Sequence, residues 1–316
     1  MRPAGAASLH KSERRAARRS AVALALAATW IAFGSSPAGT RVALETLPPL
    51  IIMGARGLLG GAILFGWAMV SGAGFPSARQ WLSSLLVGGL MLGGGAGVST
   101  MGQRTLASGV VGVLSALMPI FAAILAYFLA GERLRRPALA GLCIGIFGVC
   151  LLVRPGSELD ASGVVLVVGA QASWALGAVL APRLDLPAEP RLAAAAELLC
   201  GGMVLVVAAI ASGSSHIELG HIAMPSWFGM GWLVLTAVVG FAAYGLLVKA
   251  VPTAIATTFS YTNPIVAMIL GSMLFDERTT LGMILATAVV VVGVCLIVSS
   301  EPIKDAEETS APHRKS

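Results

Sequence analysis

"FSYTNPIVAMILGSMLFDER" occupies residues 259–278, and "LSALMPIFAAILAYFLAGER" occupies residues 114–133. The second stretch is a near-copy of the first, displaced by 145 positions. At that offset Leu114–Val153 and Phe259–Val298 match without a gap at fourteen of forty positions. Shared apolar composition can produce chance Leu and Ile matches. It does not place Pro119 on Pro264, Ser115 on Ser260, Glu132-Arg133 on Glu277-Arg278, and "GVCLLV" (Gly148–Val153) on "GVCLIV" (Gly293–Val298) at one offset. Upstream, with small shifts, "ARGLLGGAIL" (Ala55–Leu64) faces "AELLCGGMVL" (Ala196–Leu205), Trp30 faces Trp174, and Arg104 faces Lys249. The chain is an internal duplication.

The duplicated unit is apolar. Hydrophobic residues make up 57% of the sequence and charged residues 11%, against about 25% charged in a soluble domain. So few charges cannot cover a soluble surface of this size. Ten apolar stretches are long enough to cross about 30 Å of hydrocarbon: 20–40, 48–70, 81–102, 106–130, 137–153, 161–181, 192–211, 227–248, 253–275 and 281–299. This predicts an all-α, polytopic membrane protein. A basic cytoplasmic tail (1–19) precedes a first five-helix repeat (20–154), followed by a second repeat (161–300) and a cytoplasmic tail (301–316). Both tails are biased enough in composition to be disordered. The first apolar run is longer than a signal-peptide core and lacks a clean small-residue cleavage site, so it reads as a retained helix.

The net charge of +6 could suggest nucleic acid, but its placement points to topology. With the amino terminus inside, sixteen Lys and Arg fall on the cytoplasmic side and four, Arg41, Arg104, Arg154 and Arg278, outside. Basic residues favour the cytoplasmic side, so both termini are expected there, in a bacterial-type inner membrane. No nucleic-acid partner is expected.

A unit that crosses five times ends on the face opposite its start, so its copy must be inserted upside down. The two halves are then related by a pseudo-two-fold axis in the membrane plane. Such inverted repeats characterise carriers, because one backbone design seen from both sides supplies two gate states.

Ionisable groups inside hydrocarbon cost about 2.5–3.5 kcal/mol each and mark sites by default. Arg56 in the second span and Glu197 in the seventh occupy equivalent places in the two repeats. They lie about 10 Å and about 8 Å below opposite surfaces at 1.5 Å per residue, too far apart in depth for an easy bridge. Arg56 then belongs to the outer gate region and Glu197 to the inner one, or both are structural charges at helix contacts. Pro119 and Pro264 fall mid-span and cannot donate a backbone hydrogen bond, leaving the carbonyls of Ser115 and Ser260 free. The expected kinks either line a wet path or curve helices around one another. The second kink carries Ser260, Tyr261, Thr262 and Asn263.

Trp30 and Trp174 could wall a cavity or simply pack. Gln171, Tyr244, Tyr261 and Asn263 could orient a substrate by hydrogen bonds. Gly89, Gly93 and Gly97, four apart, suggest close helix packing, while Trp81 and Trp227 stand where interfacial anchors do. Glu132-Arg133 and Glu277-Arg278 are expected to pair locally or with headgroups. The four cysteines, Cys143, Cys150, Cys200 and Cys295, show no paired spacing, so no metal, cofactor or disulfide is expected.

Several segments together resemble the EamA-type branch of the drug/metabolite transporter superfamily across Ala21–Ser300. They are "FGSSPAGTRVALETLPPLIIMGARG" (Phe33–Gly57), "SALMPIFAAILAYFLAGERL" (Ser115–Leu134), "ASWALGAVLAPRL" (Ala172–Leu184) and "ATTFSYTNPIVAMILGSMLFDE" (Ala256–Glu277). The first helix departs from the pattern at Phe33-Gly34-Ser35, where Trp-Gly-Ser is common. Asp276 likewise stands where Gly often precedes the Glu. The resemblance implies ten helices in two inverted halves around a central cavity, exporting amino acids, other metabolites or drug-like compounds. It places Ser35 among the substrate-binding candidates. The expected partners are a small-molecule substrate and membrane lipids, with a proton as coupling ion and a homodimer both open. Two rivals are a nucleotide-sugar or organophosphate exchanger of the same superfamily and a membrane-embedded enzyme. The first would want several cavity cations where Arg56 stands almost alone. The second would want clustered His, Asp or Cys, and "HIELGH" (His216–His221) fits no usual zinc spacing.

Overall fold

A computed structural model describes residues 4–131, 135–153, 159–214, 219–251, 255 and 258–300. Every long element is a helix: α1 (Ala4–Gly34), α2 (Ser36–Ala43), α3 (Pro49–Val70), α4 (Ala78–Gly88), a π-helical segment (Gly89–Gly97), α5 (Val98–Gly102), α6 (Ser108–Ser115), α7 (Met118–Ala130), α8 (Arg136–Leu152), α9 (Ala161–Leu180), α10 (Pro190–Ala211), α11 (Met224–Ala250), α12 (Phe259–Phe275) and α13 (Leu281–Ser300). In hydrocarbon a helix satisfies its own backbone polar groups, which selects this architecture. Eight helical segments are long and apolar enough to cross a membrane, and two shorter apolar helices, Arg136–Leu152 and Phe259–Phe275, accompany them.

The amino-terminal segment departs from the expected disorder. α1 begins at Ala4 and runs without interruption into the first apolar stretch. The segment is rich in Ala and Arg, both good helix formers, so an apolar helix behind it can propagate outward. Residues 301–316 lie outside the described residues.

Pro119 produces a break where a kink was expected. α6 stops at Ser115 and α7 starts at Met118, with Pro119 in the first turn of the new helix. The missing N–H is harmless there, because first-turn donors have no intrahelical partner. Pro37 breaks the first span in the same way, between Gly34 and Ser36. Pro264 does lie within a helix, but α12 begins only at Phe259, so the proline sits in its second turn.

Glycine contacts set the helix spacing. α3 lies along α10, and α8 along α13. A Cβ placed on Gly57 would stand 2.8 Å from both Gly202 Cα and Leu198 O, and one on Gly141 would stand 2.5 Å from Gly293 O. Backbones approach this closely only where side chains are absent. The expected run Gly89, Gly93, Gly97 behaves unevenly, because the segment is π-helical and its register turns away from an α-helical stripe. Gly89 faces open space, Gly93 meets Val204 at 3.3 Å, Gly97 packs closely on Leu205 as expected, and Gly94 and Gly95 carry the close approach to Ser173 and Trp174.

α1 packs on α11 and α12, while α9 packs on the third span (α4, π-segment and α5) and on the fourth (α6 and α7). One apolar core joins Val113, Leu114, Ile120, Val167, Val290 and Val294, and another joins Ile52, Leu64, Leu198, Leu205 and Leu233.

Candidate functional site

Between these cores lies a cavity of about 250 Å³, walled by residues of α1, α2, α3, the π-segment, α5, α6, α7, α9, α11 and α12. Its walls therefore come from both copies of the duplicated unit.

At one end, where α2 and α5 finish and α3 begins, the wall is polar. Thr40, Ser99, Thr100 and Gln103 converge there with Arg56. Gln103 donates from Nε2 to Pro37 O at 2.6 Å, tying the end of the third span to the turn after the first break. Arg56 is 8% exposed. Its Nη1 reaches Met53 Sδ at 3.8 Å, a weak contact, and its buried Nε has no hydrogen-bond partner among the described residues. A buried guanidinium without a carboxylate is costly, so this arrangement is poised for an anionic or strongly accepting group.

At the other end, where α9 and α11 finish and α12 begins, the wall is aromatic. Phe33 meets Phe241 with ring centroids 5.6 Å apart and Phe259 at 5.0 Å, and Tyr244 stands perpendicular to Phe259 at 5.7 Å. Edge-to-face geometry of this kind packs ring edges against ring faces and stiffens the cluster. Trp174 fits against the π-segment because Gly95 has no side chain; a Cβ there would stand 2.8 Å from the indole. Ser173 Oγ, its neighbour, donates to Leu90 O at 2.8 Å, so it satisfies a carbonyl inside the π-segment. Between the two ends, Ser115, Gln171, Ser260 and Asn263 face the cavity, and the buried Asn263 Oδ1 has no partner among the described residues.

Of the candidates named from sequence, Arg56, Gln171, Trp174, Tyr244 and Asn263 line this cavity. Trp30, Ser35, Glu197 and Tyr261 are not on its wall. Trp30 Nε1 donates to Thr258 Oγ1 at 3.0 Å, one layer behind the aromatic cluster. Ser35 Oγ donates to Ile31 O at 2.6 Å and accepts from Trp232 Nε1 at 3.0 Å, at the break between α1 and α2. Tyr261 packs against the α6–α9 core. Glu197 is half-buried on α10, and no ion pair joins it to Arg56 among the described residues. The carbonyl of Glu197 faces Gly88 of α4.

Sequence reading missed Phe33, Thr40, Gln103, Phe241 and Phe259. The available signal was weak: uncharged polar groups within apolar spans, and phenylalanines on three separate helices. It also missed the partner of Glu277. That carboxylate accepts from the backbone N–H of Ser108 at 2.9 Å and of Gly109 at 3.1 Å, from Ser108 Oγ at 3.0 Å, and pairs with Arg41 Nη1 at 3.2 Å. The expected local pairing with Arg278 is replaced by a junction of three spans. Glu132 and Arg133 lie outside the described residues.

A second crevice, between α2, α11 and α12, is apolar apart from Ser35. Trp227, Phe228 and Leu274 on its rim are exposed.

The profile of the EamA-like transporter family matches this chain twice, over residues 19–154 and 161–299. The inner membrane transporter YedA of Escherichia coli (strain K12) is 31% identical over 292 residues, covering 91% of this chain and 94% of YedA. The transporter YvbV of Bacillus subtilis (strain 168) is 24% identical, covering 87% of this chain and 90% of its own. A probable amino-acid metabolite efflux pump of Salmonella typhimurium is 27% identical, covering 79% of this chain and 85% of the pump. A solved crystal structure shares the fold with a TM-score of 0.63 at 18% identity, covering 88% of this chain and 97% of that one.

Proposed function

Because this chain belongs to the EamA-like transporter family, we propose that it is a secondary transporter of the bacterial inner membrane, exporting small metabolites such as amino acids or compact amphipathic compounds by alternating access. The observation that carries this reading is the central cavity, enclosed by both family-matching halves and polar at one end only. Export and an inner-membrane setting are supported by the names of its relatives.

Cavity size favours small cargo. At about 250 Å³ the space falls below the ~300–1,000 Å³ usual for drug-sized ligands. A nucleotide sugar would need more room and more cations than Arg56 alone. Arg56, Gln171, Trp174, Tyr244 and Asn263 contact the substrate. Trp30, Ser35 and Tyr261 support the cavity from behind. Glu197, off the wall in this state, meets substrate or proton in the other.

The packing pattern supports inverted repeats. Under the offset of 145, α3 exchanges with α10 and α8 with α13, and each pair is in contact. The first span touches the eighth and ninth, just as the sixth touches the third and fourth. Such a pattern maps onto itself under a two-fold exchange. The 17-residue helices Arg136–Leu152 and Phe259–Phe275 extend about 25 Å at 1.5 Å per residue, the lower end of the length a crossing takes. That brings the total to ten, with both termini in the cytoplasm.

Counterflow into proteoliposomes tests the reading, with a panel of amino acids, nucleosides and cationic dyes. Accumulation of a labelled solute driven by its unlabelled counterpart is expected. A protein that is monodisperse and correctly inserted but exchanges none of them is not a carrier for these classes.

A further inference from the structure

The cavity's charge balance narrows its cargo further. Resting on the carrier reading above, we propose that the preferred cargo is a small organic monoanion: a carboxylate held by Arg56, with an apolar or aromatic body against Phe33, Phe241 and Phe259 and no ammonium group required.

Three observations lead there. Arg56 is almost fully buried and lines the cavity, and its Nε has no hydrogen-bond partner among the described residues. A bound carboxylate would neutralise that charge and supply the missing acceptor, in the two-pronged geometry that suits guanidinium. No Asp or Glu lines the cavity among the described residues. Glu277 is committed to Arg41, Ser108 and Gly109, and Glu197 lies off the wall. An ammonium group entering this cavity would meet a lone positive charge in a low-dielectric setting, where like charges repel strongly.

The third observation is the separation of chemistry. Arg56 sits with Thr40 and Gln103 near the start of α3, whereas the phenylalanine cluster lies where α11 ends and α12 begins. A molecule polar at one end and apolar at the other fits in one orientation. The Asn263 amide, on the wall between the two ends, can hydrogen-bond a hydroxyl or amide on the body.

Four probes with one aromatic body and different charge test this: 3-phenylpropionate (anion), phenylalanine (zwitterion), 3-phenylpropanol (neutral) and phenethylamine (cation). Binding to the purified full-length protein is read by the quenching of tryptophan fluorescence, and counterflow in proteoliposomes is run in parallel. The expected order places 3-phenylpropionate first, about tenfold or more tighter than the neutral and cationic probes, the scale of a hydrogen bond to a charged group. R56Q removes that preference, and R56K retains part of it. The wild-type ranking stands alone if R56Q fails to fold. Equal affinity across charges, preference for the zwitterion or the cation, or no binding of any probe overturns the proposal. Counterflow of phenylalanine without 3-phenylpropionate leaves the carrier reading intact and sinks this one. Tight, Arg56-dependent binding of 3-phenylpropionate without counterflow of any probe does the reverse.

Discussion

Asp276 and Gly131, 145 positions apart, hold the same left-handed backbone, at φ 50° and φ 65°. Each follows the last residue of its helix, Phe275 in α12 and Ala130 in α7. The duplicated unit thus ends its fourth span the same way twice, but only one copy has the residue that suits the conformation. A side chain in the left-handed region costs up to about 1–2 kcal/mol, less for Asp than for most residues. Asp276→Gly is therefore expected to stabilise the protein by up to about 1 kcal/mol, read as a raised thermal midpoint in detergent. Asp276→Val should lower it. An unchanged or lower midpoint for the glycine variant would mean that the Asp side chain itself stabilises the turn.

The residue after that turn joins three spans. Glu277 caps the first turn of α6 through the N–H groups of Ser108 and Gly109, and its side chain is only 8% exposed, whereas its partner Arg41 is 42% exposed. Arg41 also stacks over Phe275 at 5.2 Å. Removing the carboxylate leaves buried donors unsatisfied, at about 1.5–3 kcal/mol for a charge-assisted bond. Removing Arg41 leaves the carboxylate its other partners, and a half-exposed ion pair contributes about 1 kcal/mol or less. E277A should therefore lose clearly more thermal stability than R41A. Equal losses would place the main contribution in the ion pair instead of the cap.

These two cases mark what the sequence could reveal. The apolar helices and the duplication are legible because hydrocarbon favours long runs of apolar residues, and Pro, Glu-Arg and Gly-Val-Cys fix the offset. Arg56, Gln171 and Asn263 are legible as cavity residues because polar groups are rare and costly at that depth. The partner of Glu277 is not, since Arg41 and Ser108 are remote in the chain and only packing brings them together. The break at Pro119 follows from a balance between one helix with a missing bond and two with a turn, which local sequence does not decide. The π-segment leaves no mark either: a run of glycines permits it, but contact with Ser173 and Trp174 selects it.

Asp160 gives a pH signature outside the spans. It caps α9, accepting from Gly163 N at 2.7 Å, Ser162 Oγ at 2.5 Å and Thr105 Oγ1 at 2.8 Å. The Ser162 hydroxyl first, then Thr105 and the Gly163 N–H, hold its pKa below the usual 3.8. A depressed carboxylate pKa contributes stability that is present above the unfolded value and is lost as pH falls through the folded one. Wild type should therefore exceed Asp160→Asn in thermal midpoint at about pH 6, and the gap should close as pH drops below the ordinary Asp range. A gap that persists unchanged in acid would assign the effect to side-chain shape instead of charge.

The α3–α10 contact provides the sharpest test of the packing. On one helix, Gly57 has Gly202 Cα and Leu198 O at 2.8 Å from where a Cβ would sit, while Gly66 has nothing within 4 Å. Both are helical glycines in α3, so propensity and insertion cost are nearly the same for the two. Only the neighbour differs. Gly57→Val must push α10 away, along a contact that runs from Gly54 to Gly61, and overpacking of this kind costs about 1–3 kcal/mol or more. Gly66→Val should be close to neutral, since its side chain would enter open space. The paired comparison, by fluorescence size-exclusion recovery after heating, is expected to show early loss for the first variant only. If both variants survive equally, α3 and α10 are not in glycine-mediated contact, and the pairing on which the two-fold exchange of spans depends is wrong.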